Sequence, residues 1–206
     1  MSDRRVGAPG VKRLAAERCF GAIIDVQEFF LSQVGGRLAR SRIESNVANL
    51  VRLLGYFRIP LVVTLERPIH YKGALPKSIK RHLDDGAGLF EKDFFDLTKE
   101  KRIRDYVKRL KKEQVVVAGS ETDVCVLQSV LGLLELGYEV YVVEDLLFSS
   151  TTKVEAAIAR MQAAGAVFLT YKTLYFELVE AVEGRDHDRL SETFGPFPED
   201  LPEFAA

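Results

Sequence analysis

Short apolar, β-branched runs alternate along the chain with longer stretches whose apolar residues recur at helical spacing. Cys19 to Val26 (CFGAIIDV) reads as a central buried strand with Asp25 at its carboxyl end. From Arg37 to Phe57, Leu38, Ile43, Val47, Leu50 and Leu54 mark one face of an amphipathic helix, with basic residues between them. Ile59 to Leu65 (IPLVVTL) predicts the second strand, and Glu66 to Lys77, with two prolines and a glycine, an irregular loop at the same edge. Ile79 to Leu83 reads as a helical turn, followed by a third strand around Leu89 to Lys92. Thr98 to Lys112 is a basic helix with Ile103, Tyr106, Val107 and Leu110 as its stripe.

The segment Gln114 to Leu136 opens with Val115, Val116 and Val117, breaks at Gly119 and resumes as a helix after Thr122 that stops at Gly137. Tyr138 to Val143 predicts a strand ending at Glu144 and Asp145. Ser149 to Thr152 supply capping hydroxyls for a helix over Val154 to Ala164, which stops at Gly165. Ala166 to Thr170 is the last strand and Leu174 to Val182 a closing helix. This order predicts an α/β fold: a single-domain, Rossmann-like three-layer α/β/α sandwich with a mostly parallel six-stranded sheet. Residues 1–18 are expected to form a flexible arm, 19–183 the domain and 184–206 a charged, proline-containing tail.

Composition narrows the function. The chain has 206 residues, 47% of them hydrophobic, enough for one large core. Lys and Arg total 29 against 30 for Asp and Glu, a net charge of -1, so nothing drives the chain toward nucleic acid or an anionic membrane. The basic helix carries interleaved Glu100, Asp105 and Glu113 and reads as a solvated face. There is no secretory apolar region or bilayer-length run, and the two cysteines, Cys19 and Cys125, stand far apart, which predicts a reduced cytoplasmic protein with free thiols. The first strand-to-helix turn, DVQEFF, lacks the dinucleotide-binding glycines, and no cofactor is expected.

Three reactive residues then stand at or just beyond strand ends: Asp25, Lys92 and Cys125. Each has a plain structural reading, as a helix cap, a surface cation and core filler. Together they supply a proton acceptor, a cation and a nucleophile, the set that thiol-based acyl chemistry needs. A thiol in a first helical turn would have its pKa lowered from the ~8.5 of a free cysteine.

Four segments resemble the isochorismatase-like cysteine hydrolases. IIDVQEFF at 23–30 resembles the family's apolar-DxQ-x-F opening, FEKDFFDL at 90–97 its lysine segment, and VVVAGSETDVCV at 115–126 its nucleophile turn. GYEVYVVEDLLFSS at 137–150 is similar to the strand and acidic loop that follow, and the resemblance runs from Phe20 to Val182. It implies Cys125 as nucleophile, Asp25 as general base and later acid, and Lys92 as the cation that keeps both charged. It also implies a cis peptide between Ser120 and Glu121, with the N–H groups of Glu121 and Cys125 forming an oxyanion hole. The implied reaction is hydrolysis of a C–N bond in a small amide or ureide through a thioester.

Gln27, Phe30, Glu66, His70, Phe95 and Asp96 are the expected pocket residues, and association as a homodimer or homotetramer is expected from the family, with Leu174 to Val182 as a contact surface. The chain departs from the nicotinamidase pattern: His70 lacks the flanking Asp and second His of that metal motif, and His82 and His187 have no ligand spacing, so no metal is predicted. Asp96 stands where the family commonly has Ser, and an extra carboxylate near the pocket would alter substrate charge preference or raise Asp25. Isochorismatases that cleave a vinyl ether lack the cysteine present here. The rival from another class is a catalytically silent member that binds a metabolite or a protein partner.

Overall fold

The computed structural model describes residues 12–180. Six strands form one sheet: β1 (Cys19–Ile24), β2 (Leu61–Glu66), β3 (Gly88–Lys92), β4 (Gln114–Ser120), β5 (Glu139–Phe148) and β6 (Val167–Leu169). Their order is β3-β2-β1-β4-β5-β6, and every adjacent pair is parallel. The helices are α1 (Glu28–Gln33), α2 (Gly36–Tyr56), α3 (Ile69–Lys72), α4 (Lys77–Lys80), α5 (Lys101–Arg109), α6 (Leu127–Glu135), α7 (Glu155–Ala163) and α8 (Tyr171–Val179).

Side chains of a strand point alternately to its two faces, so each central strand feeds two cores. Cys19 and Ile23 of β1, Val116 of β4 and Tyr141 of β5 face a layer made by α1, α2, α4 and α8. Phe20, Ala22 and Ile24, with Val115 and Val117, face α5, α6 and α7. β1 and β4 are buried at every position, whereas the edge strand β3 is buried only at its two ends, Gly88 and Lys92, and β6 is largely half-buried. That burial explains why the middle of the sheet reads as unbroken apolar runs and its edges do not.

Several boundaries differ from the sequence reading for local reasons. β5 does not stop at Glu144 and Asp145 but continues to Phe148, because a register irregularity between Val117 and Gly119 lets Leu147 and Phe148 pair with Gly119 and Ser120. Asp145 Oδ1 accepts from the Tyr171 N–H at 2.9 Å and Thr170 Oγ1 from the Thr173 N–H at 3.1 Å, so α8 starts three residues earlier than the periodicity predicts. The hydroxyls of 149–152 do not cap α7, whose N-cap is Val154 with no side-chain bond. The segment braces the neighbouring turn instead: Ser149 Oγ donates to Asp123 Oδ1 at 2.6 Å and the backbone N–H of Ser150 to Glu121 Oε1 at 3.0 Å, while Thr151 Oγ1 accepts from the Lys153 N–H at 3.1 Å. The basic helix is split into a 3-10 turn, Leu97–Lys99, and α5.

Residues 12–18, assigned to the arm by sequence, pack on the domain: Leu14 is buried, and the Ala15 N–H donates to Gln114 Oε1 at 2.8 Å. Residues 1–11 and the 184–206 tail lie outside the described residues. On α8, Tyr171, Leu174, Tyr175 and Leu178 are buried within this chain and Phe176 is the exposed large apolar residue. The apolar residues offered as a contact surface are thus mostly consumed by the core. Among the described residues, no helix is long and apolar enough to cross a membrane.

Candidate active site

The chain steps from β1 outward to β2 and β3, then returns to β4 on the other side of β1. The connections leaving the carboxyl ends of β1 and β4 therefore run in opposite directions along the sheet, and parallel sheets build sites at such a reversal. Asp25 follows β1, Glu66 ends β2, Lys92 ends β3 and Cys125 lies in the turn after β4. Register carries them to one place: Glu66 pairs with Lys92, and Ile24 lies between Thr64 and Gly119.

Asp25 is fully buried and adopts a positive φ of 49°, a conformation that Asp tolerates better than most residues. Its backbone is held by both neighbours, through its N–H to the Thr64 carbonyl at 3.1 Å and its carbonyl accepting from Ser120 Oγ at 2.8 Å. Asp25 Oδ1 accepts from Thr64 Oγ1 at 2.8 Å. Oδ2 lies 2.7 Å from Lys92 Nζ, an ion pair, yet receives no well-aligned hydrogen bond among the described residues. It thus keeps acceptor capacity toward the site.

Lys92 is also fully buried, and its Nζ stands 3.5 Å from Cys125 Sγ and 3.9 Å from Glu66 Oε2. The thiol, 1% exposed, donates to Glu66 Oε2 at 2.9 Å. Lys72 contacts the other oxygen of Glu66. The Ser120–Glu121 peptide is cis, and Thr122 to Val126 form a π-helical turn in which the Val126 N–H reaches the Glu121 carbonyl at 3.0 Å. The thiol is therefore presented from a widened turn before α6 rather than from an α-helical first turn.

That placement reverses one expectation. Burial pushes the Cys125 thiol well above its usual range; Asp25 and Glu66 add to the rise and Lys92 opposes it. These surroundings favour the thiol over the thiolate. Burial likewise pushes Asp25 up, with Lys92 and Thr64 pulling it down. Burial works to lower Lys92, but Asp25, Cys125 and Glu66 outweigh it and hold the ammonium charged. Burial also works to raise Glu66, and the hydrogen bonds from Cys125 and Lys72 reverse that and hold it below the usual carboxylate range.

The expected pocket residues divide. Glu66 touches the thiol. Gln27 is fully buried and clamps the loop, its Oε1 accepting from the Glu66 N–H at 2.7 Å while its Nε2 donates to the carbonyls of Glu66 at 3.1 Å and Gly73 at 2.7 Å. Phe30 is buried with Lys72 Nζ 5.7 Å from its ring centre. His70 is exposed and lines a surface depression with Arg67, Pro68, Ile69, Glu91 and Asp93. Phe95 is 54% exposed. Asp96 caps the 3-10 turn, its Oδ1 accepting from the N–H of Thr98 at 2.8 Å and from Thr98 Oγ1 at 2.7 Å.

Thr64 and Lys72 escaped the sequence reading. Thr64 had a faint signal, a hydroxyl inside the apolar run IPLVVTL, while Lys72 stands in an irregular loop whose path no periodicity reveals. Ligand atoms of Asp25, Glu66 and Cys125 lie within 4.8 Å of one another, a spacing compatible with a metal. The Lys92 ammonium already stands among them, so these acids have their counter-charge and the set fits a second cation poorly.

The isochorismatase domain model matches residues 22–173. Isochorismatase family protein 2A of Dictyostelium discoideum is 26% identical over 187 residues, 83% of this chain and 87% of that protein. The YcaC gene product of Escherichia coli, described as an octameric hydrolase of unknown specificity, superposes with a TM-score of 0.83 at 25% identity, covering 96% of this chain and 95% of that one. YcaC from Pseudomonas aeruginosa, solved with hexane-2,5-diol and covalent acrylamide, gives 0.81 at 26% identity, covering 94% of each chain. The family match spans most of the sheet and Asp25, Glu66, Lys92 and Cys125, and the solved relatives share the fold: the chain belongs to the isochorismatase-like hydrolase family.

Proposed function

We propose that this protein is a cysteine-dependent hydrolase of a C–N bond in a small amide or ureide, with Cys125 as nucleophile, Asp25 as proton carrier and Lys92 as the cation between them. The observation that supports it most is the buried sulfur 3.5 Å from an ammonium that is itself 2.7 Å from a carboxylate. In this reading a carbonyl binds above the sulfur with its oxygen toward the N–H groups of Glu121 and Cys125. The thiol proton passes to Asp25 as sulfur attacks, forming the C–S bond and moving the carbonyl electrons onto oxygen. Collapse breaks the C–N bond, and Asp25 returns the proton to the leaving nitrogen. Water then attacks the thioester, Asp25 takes its proton, and the acid departs as the thiol is restored.

Because the resting thiol is protonated, this chemistry starts with proton transfer in the occupied site rather than from a preformed thiolate. The covalent acrylamide of the Pseudomonas relative is compatible with an electrophile-accepting site, and the octameric Escherichia relative with assembly of this chain as a homo-oligomer, for which dimer and tetramer are our expectation. Free, buried Cys19 and Cys125 suit a reducing compartment, the cytoplasm.

An ammonia-release screen over primary amides and ureides is the test. Turnover by the wild type that falls at least about a thousandfold in Cys125→Ser supports the reading, as removal of a nucleophile requires. Turnover that survives the substitution refutes it. The burial of the sulfur favours the second reading, a silent binding protein; ligand binding without turnover by any substrate in the screen would select it.

A further inference from the structure

The charges around Cys125 form two pairs rather than one. On one side Lys92 faces Asp25 at 2.7 Å; on the other Lys72 holds Glu66 Oε1 while Glu66 Oε2 accepts the thiol proton at 2.9 Å. The second pair is built into the fold. Glu66 is 8% exposed, and Gln27 grips it by both N–H and carbonyl. The same Gln27 amide reaches Gly73, the residue after Lys72, and the Phe30 ring lies beneath the Lys72 ammonium. With both acids ionised, both lysines charged and the thiol neutral, the centre is balanced. A thiolate or an anionic visitor would add a negative charge with no partner in a buried place.

We propose that Glu66, braced by Lys72, is a positioning residue that holds the Cys125 proton in the resting protein and restricts the site to neutral or cationic amides bearing N–H groups. The inference rests on the reading of Cys125 as nucleophile and adds the substrate's charge and hydrogen-bonding class. Once the sulfur gives its proton to Asp25, Glu66 Oε2 loses the hydrogen bond it had accepted. An N–H on the nitrogen of a carbonyl seated over the sulfur restores it; esters and N,N-dialkyl amides have none to offer. An anionic group in the same position meets Glu66 and Asp25 together. Of the charged groups facing the sulfur, Asp25 and Glu66 favour the thiol and Lys92 the thiolate, while Lys72 acts through Glu66.

The test is alkylation of the full chain by iodoacetamide, a neutral amide, and iodoacetate, an anion, from neutral to alkaline pH. Modification of Cys125 is read by peptide mass, and buried Cys19 reports that the fold is intact. In Glu66→Gln the midpoint for Cys125 should fall by about one to two pH units. The preference for iodoacetamide over iodoacetate, relative to free cysteine, should shrink on the order of tenfold. Glu66→Asp should retain most of both effects. Lys72→Met leaves Glu66 unneutralised and should raise the midpoint, whereas unfolding would bring it to the ~8.5 of a free thiol. An unchanged midpoint and preference in Glu66→Gln, with Cys19 still protected, overturns the role of Glu66 and leaves the nucleophile untouched. A Cys125 that no variant allows to react overturns the nucleophile and this inference with it.

Discussion

Asp25 and Lys92 illustrate how a buried ion pair constrains its surroundings. Both are fully buried, and each is tolerable only because the other is 2.7 Å away, with Thr64 satisfying the second carboxylate oxygen. Lys92→Met keeps the bulk of the side chain but strands the carboxylate. It should cost about 3 to 5 kcal/mol in denaturant unfolding at neutral pH. The sign with pH follows: a stranded Asp25 is penalised only while ionised, so the deficit should shrink as the pH is lowered and the group takes up a proton. A deficit independent of pH would mean that lost packing, not the charge, dominates. Asp96 shows the opposite case, a carboxylate whose position in the lysine segment suggested chemistry and whose Oδ1 serves a cap.

At the scale of elements, the turn after β4 is shaped by how closely β4 approaches β1. Gly119 has φ of +125°, and a Cβ there would stand 2.0 Å from the Ile24 carbonyl oxygen. Neither the backbone conformation nor the space admits a side chain. Gly119→Ala should destabilise the protein by about 3 kcal/mol or more, measured by thermal or denaturant unfolding. It should also depress any Cys125-dependent turnover in the surviving folded fraction, because the displaced strand end carries the π-helical turn. The end of β5 braces that turn from its other side through Thr122 Oγ1 to the Phe148 carbonyl at 3.2 Å and Ser149 to Asp123. The acidic loop read from sequence after Val143 is thus a strand extension supporting the turn that carries Cys125.

At the scale of the whole molecule, two cores on either side of one parallel sheet bury both thiols, and this predicts an alkaline limit to stability. Burial raises Cys19 from 9.0 to about 12. The folded state keeps the proton that the unfolded chain has lost, so the stabilisation present below pH 9 declines as the pH rises toward 12. By about pH 10.5 the loss from this group alone should be roughly 2 kcal/mol. Lys92, also raised, is lost only above its ordinary value of 10.5 and acts in the same direction. Cys19→Ala should therefore flatten the fall in unfolding free energy between neutral and alkaline pH; an equally steep fall would assign the alkaline loss to other groups.

By itself the sequence determined the layer order, the central strands and the positions of Asp25, Lys92 and Cys125 at strand ends. Buried parallel strands must be apolar and their switch-point ends carry the chemistry, so both leave local marks such as CFGAII and QVVVAGS. Edge strands β3 and β6 and the end of β5 left weaker marks, because half-buried or irregularly paired residues need not follow a strict alternation. Only the tertiary structure decided that Glu66 accepts the thiol hydrogen bond and is itself held by Lys72, that Asp96 caps a turn while His70 is exposed, and that burial and two acids favour the thiol over the thiolate. Those facts depend on which charges burial brings within a few ångströms of one another, and distance across the fold has no signature in the order of residues along the chain.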